Sequence, residues 1–116
     1  MSSFGIDDLS LEELFAGESL GKAVEMLRLL AHRERLKVLC VLMHEGEKSV
    51  GELNEKVDLG QSALSQHLSQ LRGAGIVGTR RAGQTIYYSI IREDVQRVIR
   101  VLRDEFCAKN VVSKGD

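Results

Sequence analysis

The tightest constraint on the fold lies between residues 49 and 90. SVGELNEKV (49–57) opens with Ser49 and Glu52 at the spacing of a capping box, and DLG (58–60) ends that helix as a turn. GQSALSQHLSQLR (60–72) then forms a second helix that closes at GAG (73–75). Directly after it, IVGTRRAGQTIYYSI (76–90) gathers β-branched and aromatic residues around Ala82-Gly83, the pattern of a β-hairpin. Two short helices joined by a tight turn make a helix-turn-helix, and a hairpin that follows at once makes a wing.

The flanking sequence is helical. SLEELFAGESLGKAVEMLRLL (10–30) carries a capping box at Ser10 and Glu13 and is expected in two pieces around Gly17. Leu20, Ala23, Val24, Leu27 and Leu30 recur at helical spacing. RERLKVLCVLMHE (33–45) is apolar almost all round from Leu36 to Met43, which predicts a helix buried on most sides and capped by Gly46. The last helix, REDVQRVIRVLRDEFCA (92–108), sets Val95, Val98, Ile99, Leu102 and Phe106 on one face. The expected order is α-α-α-α-β-β-α: a mainly α winged helix-turn-helix, one domain over residues 1–116, with loose tails at 1–9 and 109–116. Three Phe, two Tyr and no Trp leave an aliphatic core. A core that small is marginal, and an obligate dimer is a natural way to enlarge it.

The helix at 60–72 has an unusual surface. On a helical wheel Leu64, Leu68 and Leu71 fall within about 60° of one another and make the inward stripe. The opposite side carries Ser62, Ser65, Gln66, Ser69 and Gln70 and no acid, in a chain that is 28% charged, and Gln61 at the start of the helix joins these as a candidate DNA contact. A solvated helix face more often carries Glu-Lys pairs. A helix lying in a DNA major groove must keep carboxylates away from phosphates, and it gains from Gln and Ser, which bond to base edges and to phosphates. His67 projects between the two sides; it is either a boundary histidine bonded locally or a contact to phosphate or base. The net charge is −1, but residues 59–92 hold no acid and four arginines, Arg72, Arg80, Arg81 and Arg92, a local footprint for a polyanion. Arg80, Arg81 and Gln84 beside the hairpin tip suit phosphate or minor-groove contact.

Other classes fit poorly. There is no Cys-x-x-Cys, no candidate triad and no metal-ligand cluster, so an enzyme is not expected, nor is a cofactor. GESLGKA (17–23) has three residues between its glycines and no Ser or Thr after Lys22, unlike a phosphate loop. A winged helix serving protein–protein contact would show exposed aromatics where this chain has Arg, Ser and Gln. The longest apolar run, VLCVLM (38–43), is far shorter than the roughly 20 residues of a membrane span. No signal peptide is visible, and a cytoplasmic protein without membrane contact is expected. In that compartment Cys40 and Cys107 are thiols by default.

The stretch from Ser49 to Ile90 strongly resembles the ArsR/SmtB family of bacterial winged-helix repressors. The resemblance runs from about Val24 to Phe106. It is carried by Ser-x-x-Ser-x-His-Leu (Ser62 to Leu68), Leu71-Arg72, the Gly-hydrophobic-hydrophobic at 75–77 and Tyr87-Tyr88-Ser89. It implies a homodimer joined through the first and last helices, a double-stranded operator with dyad symmetry, and a role for His67 near DNA. Metal sensing is a further family trait, but SVGELNE stands where the arsenic and cadmium type has Cys-Val-Cys. The last helix also lacks the His of the zinc type, so no metal ligands are expected. Cys40 and Cys107 resemble instead the pair of the dithiol, sulfide-responsive branch. That implies release of DNA when the two thiols are bridged, as a disulfide or a longer sulfur chain, by low-molecular-weight persulfides or polysulfides or by an oxidant. From the residues alone, Cys40 reads as a small hydrophobe of an apolar helix and Cys107 as the more exposed thiol. A repressor answering to a metal or another ligand, with structural cysteines, stays open as the alternative.

Overall fold

The computed structural model of the chain describes residues 10–108. The tails expected to be loose, 1–9 and 109–116, lie outside the described residues. Two compact units divide the chain, one ending at His32 and the other beginning at Arg33.

The first unit holds α1 (Leu11–Phe15) and α2 (Ser19–Leu30). The capping box at its start is formed: Glu13 N–H donates to Ser10 Oγ at 3.0 Å, and Ser10 N–H donates to Glu13 Oε1 at 2.9 Å. Gly17 takes a φ of +62° and breaks the helix in two, as the sequence suggests. On α2 the apolar spacing is present, but Leu20, Val24 and Leu27 are exposed at 47%, 45% and 57%.

The second unit holds α3 (Arg33–Glu45), β1 (Lys48–Ser49), α4 (Val50–Val57), α5 (Gln61–Gly73), β2 (Val77–Ala82), β3 (Thr85–Ile90), α6 (Glu93–Leu102) and a π-helical turn (Arg103–Ala108). Its core is aliphatic: Val38, Leu39, Leu53, Leu64, Leu68, Leu71, Ile76, Val77, Val95 and Ile99 are almost wholly buried. The hairpin pairs Val77 with Ile90 through Ala82 with Thr85, and Gly83 (φ +63°) opens its two-residue loop. The sheet order is β1-β3-β2, with Lys48 opposite Tyr88 and Ser49 opposite Tyr87. A two-residue strand leaves no period to detect, and Ser49 doubles as the cap of α4, so β1 was not legible in the sequence.

Two expectations are corrected. α3 is not buried on most sides: Val38, Leu39 and Leu42 are buried, Leu36, Val41 and Met43 are half-buried, and Cys40 is exposed. The last helix does not run regularly to Ala108. After Leu102 it widens into the π-turn, and Phe106, expected on the buried face, is 67% exposed.

Candidate DNA-facing surface and thiol cleft

α4 and α5 are held by their caps and by the turn between them. Ser49 and Glu52 form the reciprocal capping box, at 3.2 and 2.9 Å. Asp58 ends α4 in the left-handed region, φ +55°. Asn54 Oδ1 then accepts from Leu59 N–H at 3.1 Å and from Gly60 N–H at 3.0 Å. One amide oxygen thus ties α4 to the residue that starts α5. Sequence reasoning missed Asn54; an Asn just ahead of Asp-Leu-Gly was the available signal. At the far end, Gly75 (φ +75°) closes α5 as a Schellman motif, with Ile76 N–H on Leu71 O and Gly75 N–H on Arg72 O, both at 2.9 Å.

The wheel reading of α5 holds in three dimensions. Leu64, Leu68 and Leu71 have no exposed surface, while Gln61, Ser62, Ser65, Gln66 and Ser69 are all exposed. These five residues form one carboxylate-free face. His67 is half-buried at its edge, and its Nδ1 accepts a hydrogen bond from Arg35 Nε of α3 at 3.1 Å. One ring nitrogen of His67 is thus tied to a neighbouring helix. The second arm of Arg35 donates to Gln70 Oε1. Nothing in the linear pattern signals Arg35, because the contact spans 32 residues.

The wing is less cationic than its sequence. Arg80 lies mid-strand opposite Tyr87, not beside the tip, and its guanidinium sits 4.9 Å from the Tyr87 ring centroid. It also grips Glu47 with two nitrogens, at 2.6 and 3.0 Å. This hydrogen-bonded ion pair holds the Glu47 carboxyl below the usual carboxylate range. Arg92 pairs in the same way with Asp94, at 2.6 and 3.0 Å. Two of the four arginines in the acid-free stretch are thus neutralised by acids that flank it in sequence. Arg81 and Gln84 are exposed near the tip, where Arg81 Nε donates to Gly83 O at 3.1 Å.

The two cysteines are free thiols, and both are exposed, so Cys40 is not a core residue. They line one open cleft of about 370 Å³ between α3 and the last helix with its π-turn, together with Val41, Met43, Ile99 and Arg103. The lining is mostly apolar. Partial burial pushes the Cys40 thiol up from its usual 9.0; negative charge on Cys107 adds to the rise, and the Arg103 guanidinium opposes it. Arg103 is bonded to Asp104 at 3.0 Å. Lys109, the second cation expected near Cys107, lies outside the described residues.

The chain resembles known regulators along most of its length. Residues 32–79 match the model of the family described as bacterial regulatory protein, arsR family. The transcriptional activator HlyU of Vibrio cholerae is 40% identical over 102 residues, 88% of this chain and 92% of that protein. The biofilm growth-associated repressor of Agrobacterium fabrum is 47% identical over 83 residues, 72% of this chain and 70% of that one. Among solved structures, reduced HlyU from Vibrio cholerae superposes with a TM-score of 0.76 at 41% identity, covering 84% of this chain and 99% of that one. The transcriptional repressor BigR from Xylella fastidiosa gives 0.76 at 35% identity, covering 85% and 98%.

Proposed function

The chain belongs to the arsR family of bacterial regulatory proteins and is a winged helix-turn-helix transcriptional regulator, and from that premise we propose that it is a homodimeric repressor released from DNA when Cys40 and Cys107 are bridged. The observation that carries this reading is the shared cleft: two free thiols, 67 positions apart in sequence, line the same apolar recess. Reduced, the dimer sets two copies of α5 in successive major grooves of a dyad operator, about 34 Å apart. Gln61, Ser62, Ser65, Gln66, His67 and Ser69 meet base edges and phosphates, and Arg80, Arg81 and Gln84 follow the flanking backbone. Exposed Leu20, Val24 and Leu27 on α2 of the first unit, and exposed Val101 and Phe106 near the end of the last helix of the second, are two apolar surfaces, one on each unit, for a second copy to cover.

The switching chemistry balances with an organic persulfide, R–S–SH. The Cys107 thiolate attacks the outer sulfur and expels R–S⁻, which takes a proton, leaving Cys107 as a persulfide. The Cys40 thiolate then attacks Cys107 Sγ and expels HS⁻, closing the disulfide. Two protein thiols are oxidised, and the persulfide is reduced to thiol and sulfide. A longer bridge takes a second R–S–SH, which converts Cys40 to a persulfide with loss of R–S⁻; the Cys107 persulfide anion then attacks Cys40 Sγ and expels HS⁻, leaving a trisulfide. The bridge ties the last helix to α3, changes the angle between half-dimers and spoils the spacing of the two α5 helices. A 100-fold loss of operator affinity corresponds to roughly 2.7 kcal/mol between the two states.

The test is a fluorescence titration of promoter DNA with reduced protein, repeated after glutathione persulfide and with Cys40→Ser as control. Weakened binding in the wild type and an indifferent Cys40→Ser support the switch. Equal binding in both states, with bridging verified by mass, sinks it and moves the search to other inducers.

A further inference from the structure

Arg35 of α3 reaches two side chains of α5, His67 and Gln70, and neither of those residues has a fixed hydrogen-bonding sense of its own. A neutral imidazole has one donor nitrogen and one acceptor, and an amide side chain has a donor end and an acceptor end. A guanidinium only donates. Its Nε meets His67 Nδ1 at 3.1 Å, so Nδ1 must be the bare nitrogen and the ring proton sits on Nε2. Its terminal nitrogen meets Gln70 Oε1, which turns the Gln70 amide NH₂ away from Arg35. Gln70 is exposed, and His67 stands at the edge of the same helix.

We propose that Arg35 is a positioning residue for DNA recognition, which converts His67 and Gln70 into hydrogen-bond donors on the recognition helix. This rests on the reading of α5 as the groove-facing helix. Acceptors are what a helix edge meets on DNA: phosphate oxygens along the backbone, and purine N7, guanine O6 and thymine O4 in the major groove. The polar face of Ser and Gln can donate or accept. Arg35 adds a fixed sense at the helix edge, held by the planar fork of one side chain from the neighbouring helix.

The experiment uses the full-length reduced protein and a fluorescein-labelled duplex of the DNA upstream of its own gene. Long-range ¹H–¹⁵N NMR reads the tautomer of His67, and anisotropy reads affinity. The expected wild-type result is a bare Nδ1. Arg35→Ala should give a mixed tautomer and lose about tenfold in affinity. Arg35→Lys keeps the charge and the fold but offers no planar fork, so it should lose affinity in the same direction. In a His67→Ala/Gln70→Ala background, adding Arg35→Ala should change affinity by less than about twofold, because the interaction is already gone. A wild-type proton on Nδ1, or a full Arg35→Ala effect in the double-substituted background, overturns the positioning role and leaves the groove reading intact. If His67→Ala/Gln70→Ala binds like the wild type, the proposal falls. Gln61→Ala and Gln66→Ala then report separately whether α5 faces DNA at all.

Discussion

Glu47 sits on the short link between α3 and β1, yet it determines how much charge Arg80 brings to the wing. While the pair is closed, Arg80 brings little net charge to the wing. The slope of log affinity against log salt counts phosphates neutralised, at about 0.9 each on duplex DNA. Arg81→Ala should reduce that slope by about 1, and Arg80→Ala should reduce it less. Glu47→Gln should steepen it and tighten binding; an unchanged slope would remove Arg80 from the interface. The Cys40 thiol makes a second residue-scale prediction. Burial and then Cys107 push it up, and Arg103 pulls it down. Its rate of alkylation should keep rising with pH above 9.0, since the thiolate is the nucleophile. Cys107→Ser should move that titration down and Arg103→Ala should move it up. The linear chain shows neither effect, because both depend on groups brought together across the cleft.

Among the elements, α4 and α5 were the most legible, because each is bounded by short-range chemistry. The Ser49–Glu52 box and the Gly75 closure, which the sequence reading placed, lie within five residues of the groups they bond; the Asn54 contacts, which it missed, span five and six. The stripe of Leu64, Leu68 and Leu71 follows from helical period alone. Ser49→Ala should cost about 1 kcal/mol by urea unfolding, the usual worth of an N-cap. Leu68→Ala, at a wholly buried site, should cost about 2–5 kcal/mol. If the order were reversed, the cap would be holding more than its own helix. α3 and the last helix were read less well. The apolar run of α3 predicted burial on most sides, and the last helix was expected to bury one regular face through Phe106, but an apolar run does not say how many neighbours arrive to cover it. The π-turn at Arg103–Ala108 left no mark in the apolar period.

At the scale of the whole molecule, the proposed function requires a second copy. Leu20, Val24 and Leu27 recur at i, i+4 and i+7 on α2, and all three are exposed. A helical stripe with a large exposed fraction is a surface to be covered. Val24→Glu and Leu27→Glu should each convert a dimer to a monomer by light scattering. They should also weaken operator binding by about 100-fold or more, since the two half-sites are no longer held by one particle. A dimer that survives both substitutions would exclude α2 from the interface.

The sequence by itself determined the element order of the winged helix apart from β1, the two capping boxes, the leucine stripe of α5 and its carboxylate-free outer face. These follow from spacings of three, four and seven residues, and local backbone geometry turns such spacings directly into position. Tertiary structure decided what long-range partners do. It gave Arg80 to Glu47 and Arg92 to Asp94, put Arg35 on His67 and Gln70, and brought Cys40 and Cys107 to one cleft. The physical reason is common to all of them. Charge neutralisation, tautomer choice and thiol coupling depend on distances of a few ångströms between groups, and a one-dimensional pattern carries no such distances until the chain has packed.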